Sequence, residues 1–547
     1  MVRAASHLSD ETACLRPAGG GIVARLAAVA LCLLSTPLPT NAQETTRTLL
    51  PAPVIPVPAS IDRADVDVGV AALDGIVSEA MQATGVPGVA VAIVYQDDVI
   101  FEKGYGLREA GRPEPVDPDT VFLLASLSKP ITSTVVARLS DLHHFELDEP
   151  VGHHDPDFRL ADPYVSEHAT FIDLLSHRSG LATGAGDFLE DLGFDRDTIL
   201  DRLHMQPLDD FRSTYHYSNY GYTAGGVAAA KAAGGVFEEL AEEVLFQPLG
   251  MTRTSYRNAD YLAHENRARI HVRNDAGEWE ARFHRDPDAQ APAGGVSSTV
   301  NDLAEFLRLQ LAGGMRDGER LIDPAVLTVT HKPHSVSSNR PDSAARDGFY
   351  GLGWGVSYDD IGRVVLSHSG AFDLGAATNL TLLPGEGLGI AVLSNGMPVG
   401  VVEAIATTFV DIATHGEQTV AWLALFGGAF DAMREGERAD AAAAIPTGDP
   451  GPELPLEAYT GAYANSYFGL LEIRVEGGQL MATMGPRTAP VTFTLTRDEG
   501  SRFVFETIGE WATGPSVAFF SGAEGGRPAR VLFAAYDMQG LGTFERE

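Results

Sequence analysis

Apolar residues at Val70, Leu73, Ile76 and Val77 recur with helical spacing, so the first folded segment opens with a helix. Gly85-Val86-Pro87-Gly88 breaks that pattern. The β-type run 89–94, a polar turn at Gln96-Asp97-Asp98 and the run Val99-Ile100-Phe101 then predict a hairpin, closed by Gly104-Tyr105-Gly106. A strand-like Val121-Phe122-Leu123-Leu124 leads into a helix that runs to about Leu142, and a short amphipathic helix follows at 171–175. Gly/Ala-rich 222–233 and apolar-periodic 301–311 read as further helices. From Tyr350-Gly351-Leu352-Gly353-Trp354-Gly355 onward the pattern is strands: 363–366 running into His368-Ser369-Gly370, then 377–383, a turn at 384–387, and 388–393. Helices are predicted at 401–408 and 419–433, and the alanine-rich 439–444 with Gly448-Asp449-Pro450-Gly451-Pro452 reads as a linker. After it the period becomes two. Leu471, Ile473 and Val475 alternate with Glu472 and Arg474, and turn-separated apolar runs continue at 480–482, 503–505, 517–520 and 531–533. These predict a small antiparallel β domain.

The length of 547 residues fits two or three domains, and 44% hydrophobic with 21% charged residues supports a large core. A net charge of −35, spread along the chain, excludes phosphate backbones and anionic membrane surfaces as partners and reads as a solubility feature. Arg25, the apolar run 26–34, Ser35-Thr36-Pro37 and the Thr40-Asn41-Ala42 step before Gln43 have the layout of a signal peptide, with translation starting near Val23. The expected location is therefore periplasmic or secreted. Cys14 and Cys32 both fall in this leader, so disulfides, thiolate metal sites and a cysteine nucleophile drop out of the mature chain. Leu31 before Cys32 disfavours a lipoprotein anchor, and no later apolar stretch approaches a membrane span. Pro51, Pro53, Pro56 and Pro58 mark an extended tether. The expected organisation is a leader at 1–42, a Pro-rich linker at 43–69, a principal domain at 70–436, a second linker at 437–454 and the β domain at 455–547.

The chemistry centres on Ser126-Leu127-Ser128-Lys129, where a lysine one helical turn after a serine can lie beside its hydroxyl. For Lys129 to take the serine proton it must be partly neutral, which requires a desolvated or cation-rich pocket. Alone, four such residues equally describe a capping serine and a solvated lysine. Tyr217-Ser218-Asn219 supplies a tyrosine whose hydroxyl, lowered in pKa by a nearby ammonium, could relay protons, and an asparagine that could bond a substrate amide. His177, in Leu175-Ser176-His177-Arg178-Ser179-Gly180, reads as a histidine bonded to its own loop rather than a catalytic partner. His143-His144 and His153-His154 lack a third ligand at metal-binding spacing. No G-x-S-x-G elbow, Walker loop or H-E-x-x-H occurs. Neither a metal nor a cofactor is expected.

Ser126-Leu127-Ser128-Lys129, Tyr217-Ser218-Asn219 and His368-Ser369-Gly370, in that order, resemble the three motifs of the penicillin-recognising serine hydrolases. The nearest likeness is to the class C β-lactamase-like branch, which also holds D-aminopeptidases, DD-carboxypeptidases and carboxylesterases. Residues 455–547 resemble the lipocalin-like β domain attached to many of these enzymes. The resemblance implies an α/β (α+β) β-lactamase/transpeptidase-like fold at 70–436, an antiparallel sheet flanked by helices, followed by a small antiparallel β-barrel. It implies acylation of Ser126, proton transfer by Lys129 and Tyr217, and substrate contacts from Asn219, His368, Ser369, Gly370 and Ala371. The backbone N–H groups of Ser126 and Ala371 would form the oxyanion hole. His368 stands where β-lactamases and penicillin-binding proteins carry a lysine. A mostly neutral histidine lacks the permanent cation that holds a substrate carboxylate. The expected substrates are small esters, amides or short peptides, including D-amino-acid peptides. A β-lactamase or DD-carboxypeptidase, or a catalytically inactive cell-wall- or peptide-binding protein, remains the alternative.

Overall fold

A computed structural model describes Val57 and residues 59–340 and 342–547. The predicted signal peptide, its cleavage step at Ala42, Cys14, Cys32 and most of the Pro-rich tether lie outside the described residues. Helix α1, Arg63–Thr84, begins before the first apolar repeat at Val70 and so takes up part of the expected linker. The cause is local. Asp62 accepts from the Ala64 and Asp65 N–H groups while the Asp65 carboxylate accepts from the Asp62 N–H, a capping box that starts the helix ahead of its buried face.

Strands β1 (Gly88–Tyr95) and β2 (Asp98–Gly106) form the predicted hairpin. The chain then builds a helical layer that includes α2 (Ser128–Asp141), α3 (Asp187–Asp191), α4 (Asn219–Ala233) and α5 (Val300–Leu311). It returns to the sheet in β3 (Ser335–Ser338), β4 (Gly348–Tyr350), β5 (Gly355–Tyr358), β6 (Val364–Phe372), β7 (Ala376–Leu383) and β8 (Leu388–Ser394). All eight strands are antiparallel in the order β2-β1-β8-β7-β6-β5-β4-β3, so the first and last strands of the domain are neighbours.

Both faces of this sheet are covered, which is why 89–94 reads as an unbroken apolar run. Val89, Val91, Ile93, Ile390 and Val392 pack with Val66, Leu73 and Val77 of α1 and with Ile405 and Phe409 of α6 (Val401–His415). Their alternates Ala90, Ala92, Val94, Ala391 and Leu393 face the helical layer, with Leu127, Ile131 and Val135. The alanine-rich stretch expected to be a linker is helical: α7, Trp422–Ala443, runs through it, as the high helix propensity of alanine allows.

The C-terminal strands β9 (Gly461–Asn465), β10 (Gly469–Glu476), β11 (Gln479–Met484), β12 (Val491–Glu499), β13 (Arg502–Glu506), β14 (Pro515–Glu524), β15 (Arg527–Phe533) and β16 (Thr543–Arg546) close into a barrel. Side chains fill its interior, with edge-to-face rings such as Phe493 and Phe505 at 5.4 Å and Phe503 and Phe520 at 5.5 Å. The antiparallel sheet with flanking helices and the β-barrel are the architecture expected from the sequence. The barrel core is continuous with Phe188, Leu189 and Leu192 at α3, so the barrel packs on the helical layer beside that helix.

Candidate active site

Ser126 lies in a 3₁₀ turn, Ala125–Leu127, directly ahead of α2. Ala125 sits at φ +49°, a backbone state that costs a residue with a Cβ about 1–3 kcal/mol. Three segments hold the turn in place. Leu124 N–H donates to Val296 O at 2.8 Å. Thr378 Oγ1 donates to Leu124 O at 2.7 Å. Ser128 Oγ donates to Ala125 O at 2.6 Å while accepting from Val296 N at 2.9 Å. Strand β6 crosses the turn at Gly370, where a Cβ would lie 2.1 Å from Leu124 O and 2.8 Å from Leu127 N. Only glycine fits there, and its role is to let the strand reach the serine.

Helical spacing carries Lys129 back under Ser126. Its Nζ lies 3.2 Å from Ser126 Oγ, 2.8 Å from Asn219 Oδ1 and 3.0 Å from Ala293 O. The side chain is wholly buried, and burial lowers its pKa to about 7 against a smaller opposing pull from Asp187. Lys129 Nζ also sits 4.4 Å from the centre of the Tyr217 ring. The Tyr217 pKa moves opposite to the expectation from sequence: burial raises it above the ordinary value, and the Ser126 hydroxyl only partly offsets that. Burial outweighs every opposing influence, so Tyr217 is a neutral hydroxyl that can pass on one proton as it takes another.

Asn219, the first residue of α4, is positioned by the Ser218 cap, whose hydroxyl accepts from Gly221 N–H. Its amide is occupied within the protein: Oδ1 accepts from Lys129, and Nδ2 donates to Asp187 Oδ2 at 3.3 Å. Asp187 is almost fully buried, and burial raises its carboxyl to about 8. Sequence reasoning did not single it out, because the loop that carries it has no periodicity.

His368 lies on β6, 8% exposed, with Nδ1 2.7 Å from Ser369 O and Nε2 2.8 Å from Tyr350 Oη. A carbonyl only accepts, so Nδ1 carries the proton and Nε2 accepts from the tyrosine hydroxyl. Burial and the nearby Lys129 push the imidazole down to about 3, which keeps it neutral. Tyr350 is a second site residue missed at the sequence level. Period two then decides the fate of Ser369. Its hydroxyl is on the opposite face of the sheet, where it accepts from Asn379 Nδ2 at 3.1 Å beside Glu403 of α6. Its side chain therefore does not line the site, and only its carbonyl contributes, by holding His368. Pairing with β5 stops at Ser367, so residues 368–372, Ala371 among them, lack a strand neighbour on that edge.

His177 bonds not its own loop, as the sequence suggested, but the segment ahead of α4: its Nδ1 accepts from Ser218 N–H at 3.2 Å, and its ring lies 4.5 Å from that of Tyr217. Among the described residues no group of His, Cys, Asp and Glu is arranged to hold a metal, and no helix is long and apolar enough to cross a membrane.

The barrel reaches the rim of this site. Between β13 and β14, Glu510 accepts from Asp373 N–H at 2.8 Å, directly after β6. Asp191 of α3 accepts from the Glu510 and Trp511 N–H groups at 3.0 and 3.1 Å. Arg285 lies between Glu190, at 2.8 Å, and Glu510, at 3.2 Å.

A family model described as Beta-lactamase matches residues 73–414. The chain is 26% identical over 349 residues to Beta-lactamase-like protein 2 of Dictyostelium discoideum, with 61% of each chain covered. It is 29% identical to Penicillin-binding protein 4 of Amycolatopsis lactamdurans over 59% of this chain and 83% of that one. Its alignments thus span about three fifths of the first of these relatives and most of the second. Among solved structures, an octameric penicillin-binding protein homologue from Pyrococcus abyssi superposes with a TM-score of 0.55 at 21% identity, covering 84% of this chain and 97% of that one. The matched region contains the turn of Ser126 and all the side chains gathered around it, and the chain belongs to the beta-lactamase family.

Proposed function

We propose that the protein is an exported serine hydrolase that cleaves esters, amides or short peptides through an acyl-enzyme on Ser126. One observation carries the reading. Asn219 Oδ1 and Ala293 O can only accept, so a neutral Lys129 that donates to both has its lone pair left for Ser126 Oγ. As Oγ attacks the substrate carbonyl its proton passes to Lys129. Tyr217 gives its proton to the leaving group and recovers one from the ammonium. Water then attacks the acyl-enzyme, losing its proton to the same pair, and Ser126 is reprotonated as the product acid leaves. The N–H groups of Ser126 and Ala371 would stabilise both oxyanions.

His368 supports the choice of substrate. A neutral imidazole with both nitrogens occupied offers no cation to the carboxylate of a β-lactam or a terminal D-alanine. In this reading catalysis belongs to 70–436, and the leader ending at Ala42 directs export.

A fluorophosphonate probe is expected to label wild type at Ser126, and Ser126→Ala to abolish both labelling and turnover of activated esters. An active alanine variant would refute the acyl-enzyme. A panel of acyl esters, D- and L-peptides and nitrocefin tests the substrate class. Nitrocefin turnover as fast as that of the best ester would overturn the reading of His368.

A further inference from the structure

The lone pair of Lys129 points at Ser126 only while Asn219 presents its oxygen to the amine. An amide flip would put Nδ2 there instead, and the lone pair would be taken up by an N–H. The far end of the amide decides which way it sits, and there Nδ2 meets Asp187 Oδ2. We propose that Asp187 is a positioning residue for acylation: by accepting from Asn219 it fixes the amide orientation that aims Lys129 at Ser126. This inference rests on the acyl-enzyme reading above.

The surroundings of Asp187 are built to hold it there. Gly186, at φ +94°, brings the start of α3 against α4, since a Cβ would lie 2.7 Å from the Tyr220 ring. Phe188, the next residue after Asp187, packs against Tyr536 and Trp511 of the barrel at 5.4 and 6.0 Å. Asp187 Oδ1 is buried and has no hydrogen-bond partner. With the carboxyl raised to about 8 by burial, Oδ1 can carry the proton near neutral pH while Oδ2 remains an acceptor. The titratable groups that face it are Glu190 and Asp191 on its own helix, Lys129 of α2, Asn219's neighbours Tyr217 and Tyr220, and Tyr467 of the barrel. Glu190 is paired with Arg285, so Lys129 is the cation that responds to the Asp187 charge.

The test uses the full chain as wild type, Asp187→Asn and Asp187→Ala, with Ser126→Ala as control and p-nitrophenyl acetate as the acylating probe. Pre-steady-state acylation is followed from about pH 5 to pH 9, bracketing the two groups. In Asp187→Ala the acylation rate is expected to fall roughly 100-fold with little change in KM, because a misdirected base loses alignment rather than binding. Asp187→Asn keeps the shape of the residue and an acceptor for Asn219 Nδ2, and is expected to stay within about fivefold of wild type. A readout independent of turnover is the NMR titration of lysine Cε, tractable with four lysines, Lys103, Lys129, Lys231 and Lys332. Because Asp187 is mostly protonated where Lys129 titrates, the Lys129 midpoint is expected to stay near 7 in both variants, so a lost acylation rate reports alignment and not basicity. Wild-type acylation by Asp187→Ala, or equal losses in the two variants at unchanged melting temperature, would overturn the proposal. A Lys129 midpoint displaced by more than about one pH unit would do the same, since the loss would then be one of basicity. If wild type itself fails to acylate, the acyl-enzyme reading falls; if wild type acylates and Asp187→Ala matches it, only the positioning role falls.

Discussion

Acylation should follow the deprotonation of Lys129, and the structure sets where that happens. Burial takes the amine from 10.5 to about 7. At pH 7 about half the molecules then hold a neutral base, at pH 6 about a tenth, and at pH 8 about nine tenths. A solvated lysine at its ordinary value would be neutral in roughly one molecule in three thousand at pH 7, so burial raises the reactive fraction roughly a thousandfold. The same shift means that the folded chain bears a cost of roughly 4 kcal/mol at pH 7 for keeping an amine that the unfolded chain would protonate, a cost that fades as pH rises towards 10.5. The assay is single-turnover acylation by an activated ester across the pH range, at saturating ester so that binding drops out. The rate should rise tenfold per pH unit below about pH 6 and level off above about pH 8. The histidines cannot mimic this limb: burial pushes His368 to about 3 and holds His177 well below its ordinary value. A rate that is flat from pH 5.5 to pH 8.5, or still rising tenfold per unit at pH 9.5, would refute the reasoning.

Lys129→Arg should be inactive at every pH, because a guanidinium is not deprotonated in a protein; recovery of activity at high pH would contradict the base assignment. Gly370→Ala forces a Cβ to within 2.1 Å of Leu124 O, so the strand must move off the nucleophile turn. The expected result is a loss of acylation of at least about 100-fold with about 1–3 kcal/mol of stability, read from ester turnover and urea unfolding. Burial raises Glu510 to about 8 and Asp191 to about 7. Each unfolded carboxyl ionises near its ordinary value while the folded one keeps its proton, so stability is lost as pH rises from about 4.5 to about 8. Glu510→Gln should flatten the fall in melting temperature across that window, and an unchanged slope would count against a buried, protonated Glu510.

The three motifs and the fold around them were legible through their resemblance to a family, and the elements that carry them because each depends on local spacing. A helical turn from Ser126 to Lys129, a Gly/Ala-rich helix at 222–233 and a period-two β domain are written in neighbouring residues, although the Ser218 cap starts that helix earlier, at Asn219. Ser369 was misread for a reason of the same kind. A three-residue motif names consecutive positions, yet a strand turns alternate side chains to opposite faces, so His368 enters the site and Ser369 leaves it. Asp187 and Tyr350 were not legible at all, since nothing in their own segments marks them.

What the sequence determined by itself was a set of candidate groups and the elements that carry them, through periodicity and the order of three short motifs. The protonation state of those groups was decided only by the tertiary structure. Lys129 is brought to the point where about half the molecules hold it neutral at pH 7, and Tyr217 and His368 are kept neutral, because segments far apart in the chain bury all three together, and desolvation is a property of the packed site and not of any residue within it.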